Sequence, residues 1–229
     1  MAAPAVAQGP LDAPARVSRD EGLKHAALQR RALPWIIGLW VVASALGTGW
    51  VWSHASAAGA GATPPSRLPP ALAPVRGPGA WSLLVFLHPQ CACSRATLAE
   101  LAKLTEHAGG RLATRVFLWA PRQAPPGFVH SELETRARAL PGVEVVVDVD
   151  GQAAREVGAR TSGQVVLFAP DGVERFSGGI TPARGHEGDS TGSLAIRALV
   201  DAEAPGASAS SVFGCALETP TPASGEPPP

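Results

Sequence analysis

The sequence predicts an α/β domain that follows one membrane-spanning helix. Residues 80–204 alternate between short apolar runs of strand length and stretches with a helical period. Residues 33–52 form an uncharged apolar run, and about 20 such residues cross a bilayer as a helix. Between the two, residues 53–79 are rich in Pro, Ala and Gly, which is typical of an extended linker.

The N-terminal part of the chain predicts a single-pass anchor. Residues 1–32 are rich in Ala and polar residues and are predicted to be a disordered leader. Arg30 and Arg31 directly precede the apolar run, and basic residues stay on the cytoplasmic side. This places everything after Trp52 outside the cytoplasm. The alternative is a signal peptide cleaved near residues 55–57, and it would export the same part of the chain.

Within residues 80–204 the order of patterns is strand, helix, strand, helix, strand, helix, hairpin and helix. The hairpin is indicated by Pro170-Asp171-Gly172 between two apolar runs. Ser131 and Glu134 predict the capping box of one helix. The predicted strands are 81–87, 113–119, 143–149, 164–169 and 173–177, and the predicted helices are 93–107, 131–140, 153–157 and 190–204.

The last part of the chain, residues 205–229, is dominated by Ala, Ser, Gly and Pro and is predicted to be disordered. An apolar island at residues 212–217 surrounds Cys215. Apolar residues around a cysteine in a polar tail indicate that it docks on another surface. A chance hydrophobic patch is the alternative.

Composition limits the function classes. The 19 Lys and Arg residues balance the 19 Asp and Glu residues, so the chain has no electrostatic basis for binding nucleic acid. The sequence contains three cysteines. Because this number is odd, at least one is free, bound to metal or paired only transiently.

Two of the cysteines lie where a strand is predicted to meet a helix. Cys91 and Cys93 follow the turn His88-Pro89-Gln90. A helix start presents unpaired N–H groups and a partial positive charge, which favour the reactive thiolate. Cys91 is therefore the predicted nucleophile, and a buried inert cysteine is the alternative. Arg95 is predicted to be a solvated first-turn residue that could also stabilise the thiolate.

This layout resembles the active site of thioredoxin-like proteins. Residues 158–172 resemble the second half of that fold, a facing loop followed by a strand, a turn and a strand. Residues 88–95 and 177–188 look closest to membrane-anchored bacterial proteins of the RedB type. The resemblance implies a central mixed sheet flanked by helices. It also implies a thiol–disulfide oxidoreductase in the bacterial inner membrane that acts on protein disulfides or dithiols in the periplasm and requires no cofactor.

Two features depart from the family pattern. The family has Cys-x-x-Cys, whereas this chain has Cys91-Ala92-Cys93, so Ser94 stands at the place of the second cysteine. Gly163 stands where the family has a cis-proline. Ser162 and Gly163 are therefore predicted to lie beside Cys91, and Gly163 is predicted to offer a free N–H and room for a substrate backbone or a metal.

The cysteine that resolves a mixed disulfide on Cys91 is left open. Cys93 would form a strained ring across one residue, and strain makes a disulfide easier to reduce. Cys215 is the alternative, because the chain after Pro205 can stretch about 30 Å.

Two other functions compete with thiol exchange. His88, Cys91 and Cys93 offer ligands suited to Cu(I) or Zn, and His186 could complete the set. Copper-delivering thioredoxin-like proteins use two cysteines and a distant histidine, but with a wider cysteine spacing. For His88 we also consider a cationic form that lowers the thiol pKa, and for both histidines a plain loop role. The third function is a redox-inactive binding module.

Overall fold

The computed structural model describes residues 19–75, 77 and 79–217, and for residues 19–32 it describes the backbone alone. The chain divides into two units, residues 1–52 and residues 53–229. The predicted disorder of residues 1–18 and 218–229 lies outside the described residues.

The first unit contains most of helix α1, Arg19–Ser56. Within it, Leu33–Ser56 is 24 residues long, has a mean hydropathy of 1.5 and buries none of its side chains. By length and composition this stretch is a candidate membrane span, although a signal sequence has the same properties. The helix begins within the predicted irregular leader because residues 19–31 are rich in Ala, Leu, Lys, Arg and Gln, which favour helix.

The second unit is built on a five-stranded mixed sheet with the order β3-β2-β1-β4-β5. Strand β1 pairs in parallel with β2, and β2 with β3, whereas β4 and β5 are antiparallel additions on the other side of β1. The prediction of a mixed sheet flanked by helices is confirmed. The strands are β1 Trp81–Leu87, β2 Leu112–Ala120, β3 Val143–Val149, β4 Gln164–Phe168 and β5 Glu174–Gly179, and the helices are α2 Ala92–Ala108, α3 Glu132–Arg138, α4 Gln152–Glu156 and α5 Thr191–Val200.

The central strand β1 is apolar along almost its whole length because both of its faces are covered. Leu83 and Leu87 point into a core formed with α2 and α5. Phe86 points the other way, where its ring stacks on Phe117 at a centroid distance of 5.0 Å. This strand ends at Leu87 and delivers the following turn to the start of α2.

The predicted linker is extended, but it lies on the domain instead of standing free. Leu68 N donates to Gly172 O at 2.9 Å, and Glu174 N donates to Ser66 O at 3.0 Å. Leu72 is buried in the same core as Phe86. The linker prediction therefore requires a correction, because an extended chain can satisfy the free backbone groups of a sheet edge.

The described part of the tail, residues 205–217, also differs from the prediction of disorder. Ser177 N in β5 donates to Ser208 O at 3.1 Å. Val212 and Leu217 are 1% and 2% exposed. These apolar anchors and backbone hydrogen bonds hold a segment whose composition alone predicts no fixed structure.

Candidate active site

The site is organised by Cys91, the N-cap residue of α2. Its N–H donates to His88 O at 3.1 Å, and its own carbonyl accepts from Ser94 N at 3.0 Å. The residue is 5% exposed. The turn after β1 and the first turn of α2 thus hold this sulfur at a helix N-terminus, where the dipole favours a thiolate.

Cys215 in the tail reaches this thiol. The Sγ atoms of Cys91 and Cys215 lie 2.9 Å apart, although the residues are separated by 124 positions in the sequence. Both thiols are free. Because the S–S bond of a disulfide is about 2.05 Å long, the two sulfurs need only a small movement to bond when an oxidant such as a substrate disulfide takes up two electrons.

The tail presents Cys215 by pairing with the loop that faces α2. Ser162 N donates to Cys215 O at 2.8 Å, and Leu217 N donates to Arg160 O at 2.9 Å. Thr161 and Ala216 form an antiparallel bridge. These contacts fix the backbone on both sides of the sulfur.

The facing loop is tied to the Cys91 turn by two buried hydroxyls. Ser162 Oγ accepts from His88 N at 2.9 Å, and Ser94 Oγ donates to His88 O at 2.9 Å. The two hydroxyl oxygens are 2.8 Å apart, and both side chains are fully buried. Ser94, at the place of the family's second cysteine, thus links the turn and the loop.

Gly163 lies in this loop. The prediction that its N–H is free is wrong, because this N–H donates to Phe86 O at 2.8 Å. Its φ is +94°, and an added Cβ would lie 3.0 Å from Thr97 Oγ1. The space predicted for a substrate backbone beside the loop is taken by the tail. Gly214 packs so closely there that a Cβ would collide with Ser162 O.

The three thiols differ in acidity. Burial raises the pKa of Cys91, but hydrogen bonds from the Cys215 side chain and from backbone N–H groups outweigh burial, so the net pKa is lowered. The same hydrogen bond to Cys91, together with burial and the nearby charge, raises the pKa of Cys215 to about 11. Cys91 is therefore the more acidic thiol of the pair, and once it has ionised, the Cys215 thiol can donate a hydrogen bond to its sulfur.

Cys93 lies on the first turn of α2, between Cys91 and the loop of Arg184. Burial, the charge of Cys91 and a hydrogen bond with its side chain raise the pKa of Cys93, whereas Arg184 and the backbone of Gly185 lower it. Arg184 also donates to Gly214 O at 2.7 Å and to Ala57 O at 3.2 Å. Arg184 could not be identified from the sequence, because a loop arginine with no periodic pattern around it gives no local signal.

The predicted metal ligands are not assembled. His88 stacks on Trp119 at 5.2 Å, and burial lowers the pKa of its imidazole, which favours the neutral form over the predicted cation. His186 Nδ1 lies 2.8 Å from Arg184 O. Within the described residues, no group of three or more His, Cys, Asp or Glu side chains could hold a metal ion.

An open cavity of about 590 Å³ adjoins Cys91 between α2 and α3. Its wall includes Arg95, the predicted supporting residue, whose side chain is exposed. Sequence analysis gave no indication of this cavity, because it forms only where two helices distant in the sequence pack side by side.

Comparison with known proteins supports the fold. No protein-family model and no curated protein sequence matches this chain. A hypothetical protein from Sinorhizobium meliloti 1021 is 18% identical, with a TM-score of 0.53 over 71% of this chain and 96% of that protein. An uncharacterized conserved protein from Geobacillus kaustophilus is 14% identical, with a TM-score of 0.56 over 70% and 95%.

A weaker likeness, with a TM-score of 0.38 at 16% identity over 55% and 86%, is to the exposed lipoprotein thioredoxin of Streptococcus pneumoniae strain TIGR4. The mixed sheet, its strand order and the helix that starts at Cys91 give this chain a thioredoxin-like fold, as predicted. The two likenesses with TM-scores of 0.53 and 0.56 concern the fold alone, and resemblance to the RedB type stays a prediction.

Proposed function

We propose that this chain is a membrane-anchored thiol–disulfide oxidoreductase whose exchanging pair is Cys91 and Cys215. The observation that carries the proposal is the 2.9 Å distance between the two sulfur atoms. Both sulfurs are held from the backbone, one by the start of α2 and the other by pairing with the loop at Ser162. The lowered pKa of Cys91 supports its role as the attacking thiolate.

The exchange proceeds in two displacements. The Cys91 thiolate attacks a substrate disulfide, whose S–S bond breaks as one substrate sulfur leaves and takes up a proton. Cys215 then loses its proton and attacks the Cys91 sulfur, which forms the Cys91–Cys215 disulfide and releases the second substrate thiol. Run in reverse, the oxidised pair accepts two electrons from a substrate dithiol.

The pKa of Cys215 couples these two steps. It is high chiefly because the thiol donates to Cys91 and lies near its charge. In the mixed disulfide Cys91 carries no charge and no longer attracts that proton. The pKa of Cys215 then falls, so the resolving thiolate forms more readily after the first displacement.

Cys93 is the alternative resolving residue, and it has less support. It is separated from Cys91 by one residue, and a disulfide across so short a loop would be strained.

The cellular setting belongs to the same proposal. Residues 33–52 would anchor the chain in the bacterial inner membrane, with the basic pair Arg30 and Arg31 in the cytoplasm. The thiols would then face the periplasm, where disulfides form and persist. The substrates would be protein disulfides or dithiols of that compartment.

Copper binding is the second candidate, favoured by one observation, the pair of adjacent thiols. Soft sulfur ligands suit Cu(I), and Cys91 with Cys215 would supply two of them. A Cu(I) titration of the reduced chain measures this directly. Affinity that survives in Cys91→Ser would exclude the thiol pair as the site.

Disulfide mapping tests the main proposal. The full-length chain in detergent is reacted with one equivalent of a small disulfide, quenched with an alkylating reagent and digested for mass spectrometry. We expect the Cys91–Cys215 disulfide in the wild type and in Cys93→Ser, and a persistent mixed disulfide on Cys91 in Cys215→Ser. The proposal fails if Cys91–Cys93 predominates, or if wild type exchanges no faster than Cys91→Ser.

A further inference from the structure

Cys91 borders two different surroundings. On one side lies the tail, with Cys215 in sulfur contact. On the other lies the cavity of about 590 Å³, which Cys91 lines and to which none of the described tail residues, 205–217, contributes. Small-molecule sites typically occupy about 300–1,000 Å³. With the tail in place, this cavity has room for a compound of that size beside Cys91.

The lining of this cavity combines an apolar floor with opposite charges. Leu98, Ala102 and Leu140 contribute apolar surface. Arg95 and Glu187 line the same cavity, and no hydrogen bond or ion pair of either side chain occurs among the described residues, although the charge of Glu187 also acts on Lys103. The cavity therefore offers one cation and one anion without a direct ion-pair partner beside Cys91.

An ion pair in the same cavity keeps its charges balanced. Arg136 and Glu132 also line it, and they pair with each other at 2.6 Å. Two cations and two anions give no net attraction for a purely anionic or purely cationic compound. A zwitterion complements the unpaired groups, with its carboxylate at Arg95 and its ammonium group at Glu187.

We propose that this cavity binds a small zwitterionic disulfide derived from an amino acid, with its sulfurs at Cys91. The proposal rests on the proposed function and names a substrate class for the same site. The apolar floor would contact the carbon chain of the compound, while Arg95 and Glu187 would orient its charged groups.

The reaction balances without a further reagent. The Cys91 thiolate attacks one sulfur of the compound, the S–S bond breaks, and one thiolate leaves and is protonated by solvent. Cys215, after losing its proton, attacks the Cys91 sulfur and releases the second thiolate. One small disulfide is reduced to two thiols, and one Cys91–Cys215 disulfide forms.

The test compares four disulfides that differ in charge. The reduced full-length chain in detergent is mixed with cystine (zwitterionic), dithiodipropionate (anionic), cystamine (cationic) or hydroxyethyl disulfide (neutral). The second-order rate constant of each is divided by its rate constant with a free thiol. We expect cystine to have the highest ratio.

Substitutions assign the charge preference to the cavity. In Arg95→Gln, the cystine rate should fall about tenfold relative to the hydroxyethyl disulfide rate, as expected for losing one charge-assisted hydrogen bond. Glu187→Gln should lower the same relative rate. The matched control is Arg175→Gln, since Arg175 lines no part of the cavity and pairs with Asp171 on the β4–β5 hairpin.

The outcomes separate the two proposals. If no disulfide reacts faster with wild type than with Cys91→Ser, the proposed function fails and this inference fails with it. If hydroxyethyl disulfide reacts as well as cystine, the oxidoreductase stands and the zwitterion site is overturned. It is also overturned if Arg95→Gln slows all four compounds equally, because Arg95 then acts on the thiolate and not on the ligand.

Discussion

At the scale of single residues, the acidity of Cys91 is the balance of two opposing effects. Burial disfavours its thiolate, and hydrogen bonds led by that of the Cys215 thiol favour it. Removing the thiol of Cys215 should therefore raise the pKa of Cys91. We expect the pH midpoint of Cys91 alkylation to move upward in Cys215→Ala, so that less thiolate is present at neutral pH.

The control for this experiment is Arg175→Gln, since Arg175 pairs with Asp171 on the β4–β5 hairpin and is not among the groups that shift the pKa of Cys91. Its substitution should leave the alkylation midpoint near the wild-type value. An unchanged midpoint in Cys215→Ala would show that the tail does not contact Cys91 in solution.

Gly163 allows a second test at this scale. Its φ of +94° is unfavourable for any residue with a Cβ, and that Cβ would lie 3.0 Å from Thr97 Oγ1. Proline is excluded because its φ is fixed near −65° and because the N–H of Gly163 is donated to Phe86 O. We expect Gly163→Ala to lower the free energy of unfolding by about 1–3 kcal/mol, and Gly163→Pro to lower it further, as measured by chemical denaturation.

A matched glycine separates backbone strain from crowding. Gly172 has a φ of +80°, and a Cβ there would meet no atom within 4 Å. Gly172→Ala should therefore lower the free energy of unfolding less than Gly163→Ala does. Equal losses of unfolding free energy would mean that crowding against Thr97 contributes nothing to the effect of Gly163→Ala.

At the scale of elements, the tail delivers a thiol by pairing through isolated bridges with β5 and with the loop at Thr161. Its anchor Leu217 is 2% exposed and packs in the core that contains Phe168. Leu217→Ala should weaken docking and lower the effective concentration of Cys215 at Cys91 by about tenfold or more. The measurement is the equilibrium of the Cys91–Cys215 disulfide with a small reference dithiol.

The control for the tail is Leu194→Ala, since Leu194 in α5 is 50% exposed. Its substitution should leave that equilibrium unchanged. If Leu217→Ala also leaves it unchanged, Cys215 does not depend on this anchor for its position.

The elements that the sequence predicts well are those with local signals. Strand 81–87 agrees with β1, and the helix predicted at 93–107 lies within α2, Ala92–Ala108, which ends at Gly109 in the left-handed conformation. The fixed structure of the linker and the tail could not be predicted, because it comes from pairing with sheet edges and loops that are far away in the sequence. The apolar island at residues 212–217 is the local feature that indicates docking of the tail.

The site could be predicted only in part. The strand–helix junction and its thiolate-favouring helix start follow from the sequence pattern, and the resemblance to thioredoxin-like proteins implied that Ser162 lies nearby. The contact between Cys91 and Cys215 could not be, because it depends on where the tail crosses the facing loop. The roles of Ser94 and Arg184 likewise depend on tertiary hydrogen bonds.

At the scale of the whole molecule, oxidation should change stability. The Cys91–Cys215 disulfide would close a loop of 124 positions, and a cross-link of that span restricts the unfolded chain strongly. We expect the oxidised chain to exceed the reduced chain by about 2–4 kcal/mol in free energy of unfolding. Denaturation of the two forms measures this difference. Cys215→Ser, which cannot close the loop, should show none, and equal stability of the two wild-type forms would contradict the expectation.

The orientation of the chain in the membrane decides whether this redox pair can work as proposed. Arg30 and Arg31 flank one end of the apolar run, so this end should remain in the cytoplasm and residues after Trp52 should be exported. A reporter that is active only outside the cytoplasm should therefore be active when fused after Gly79 and inactive when fused before Ala32. Replacing both arginines with glutamine should weaken this preference, because it removes the charges that set it. The reverse pattern of activity would place the thiols in a compartment that keeps them reduced, and the Cys91–Cys215 disulfide would then not persist there.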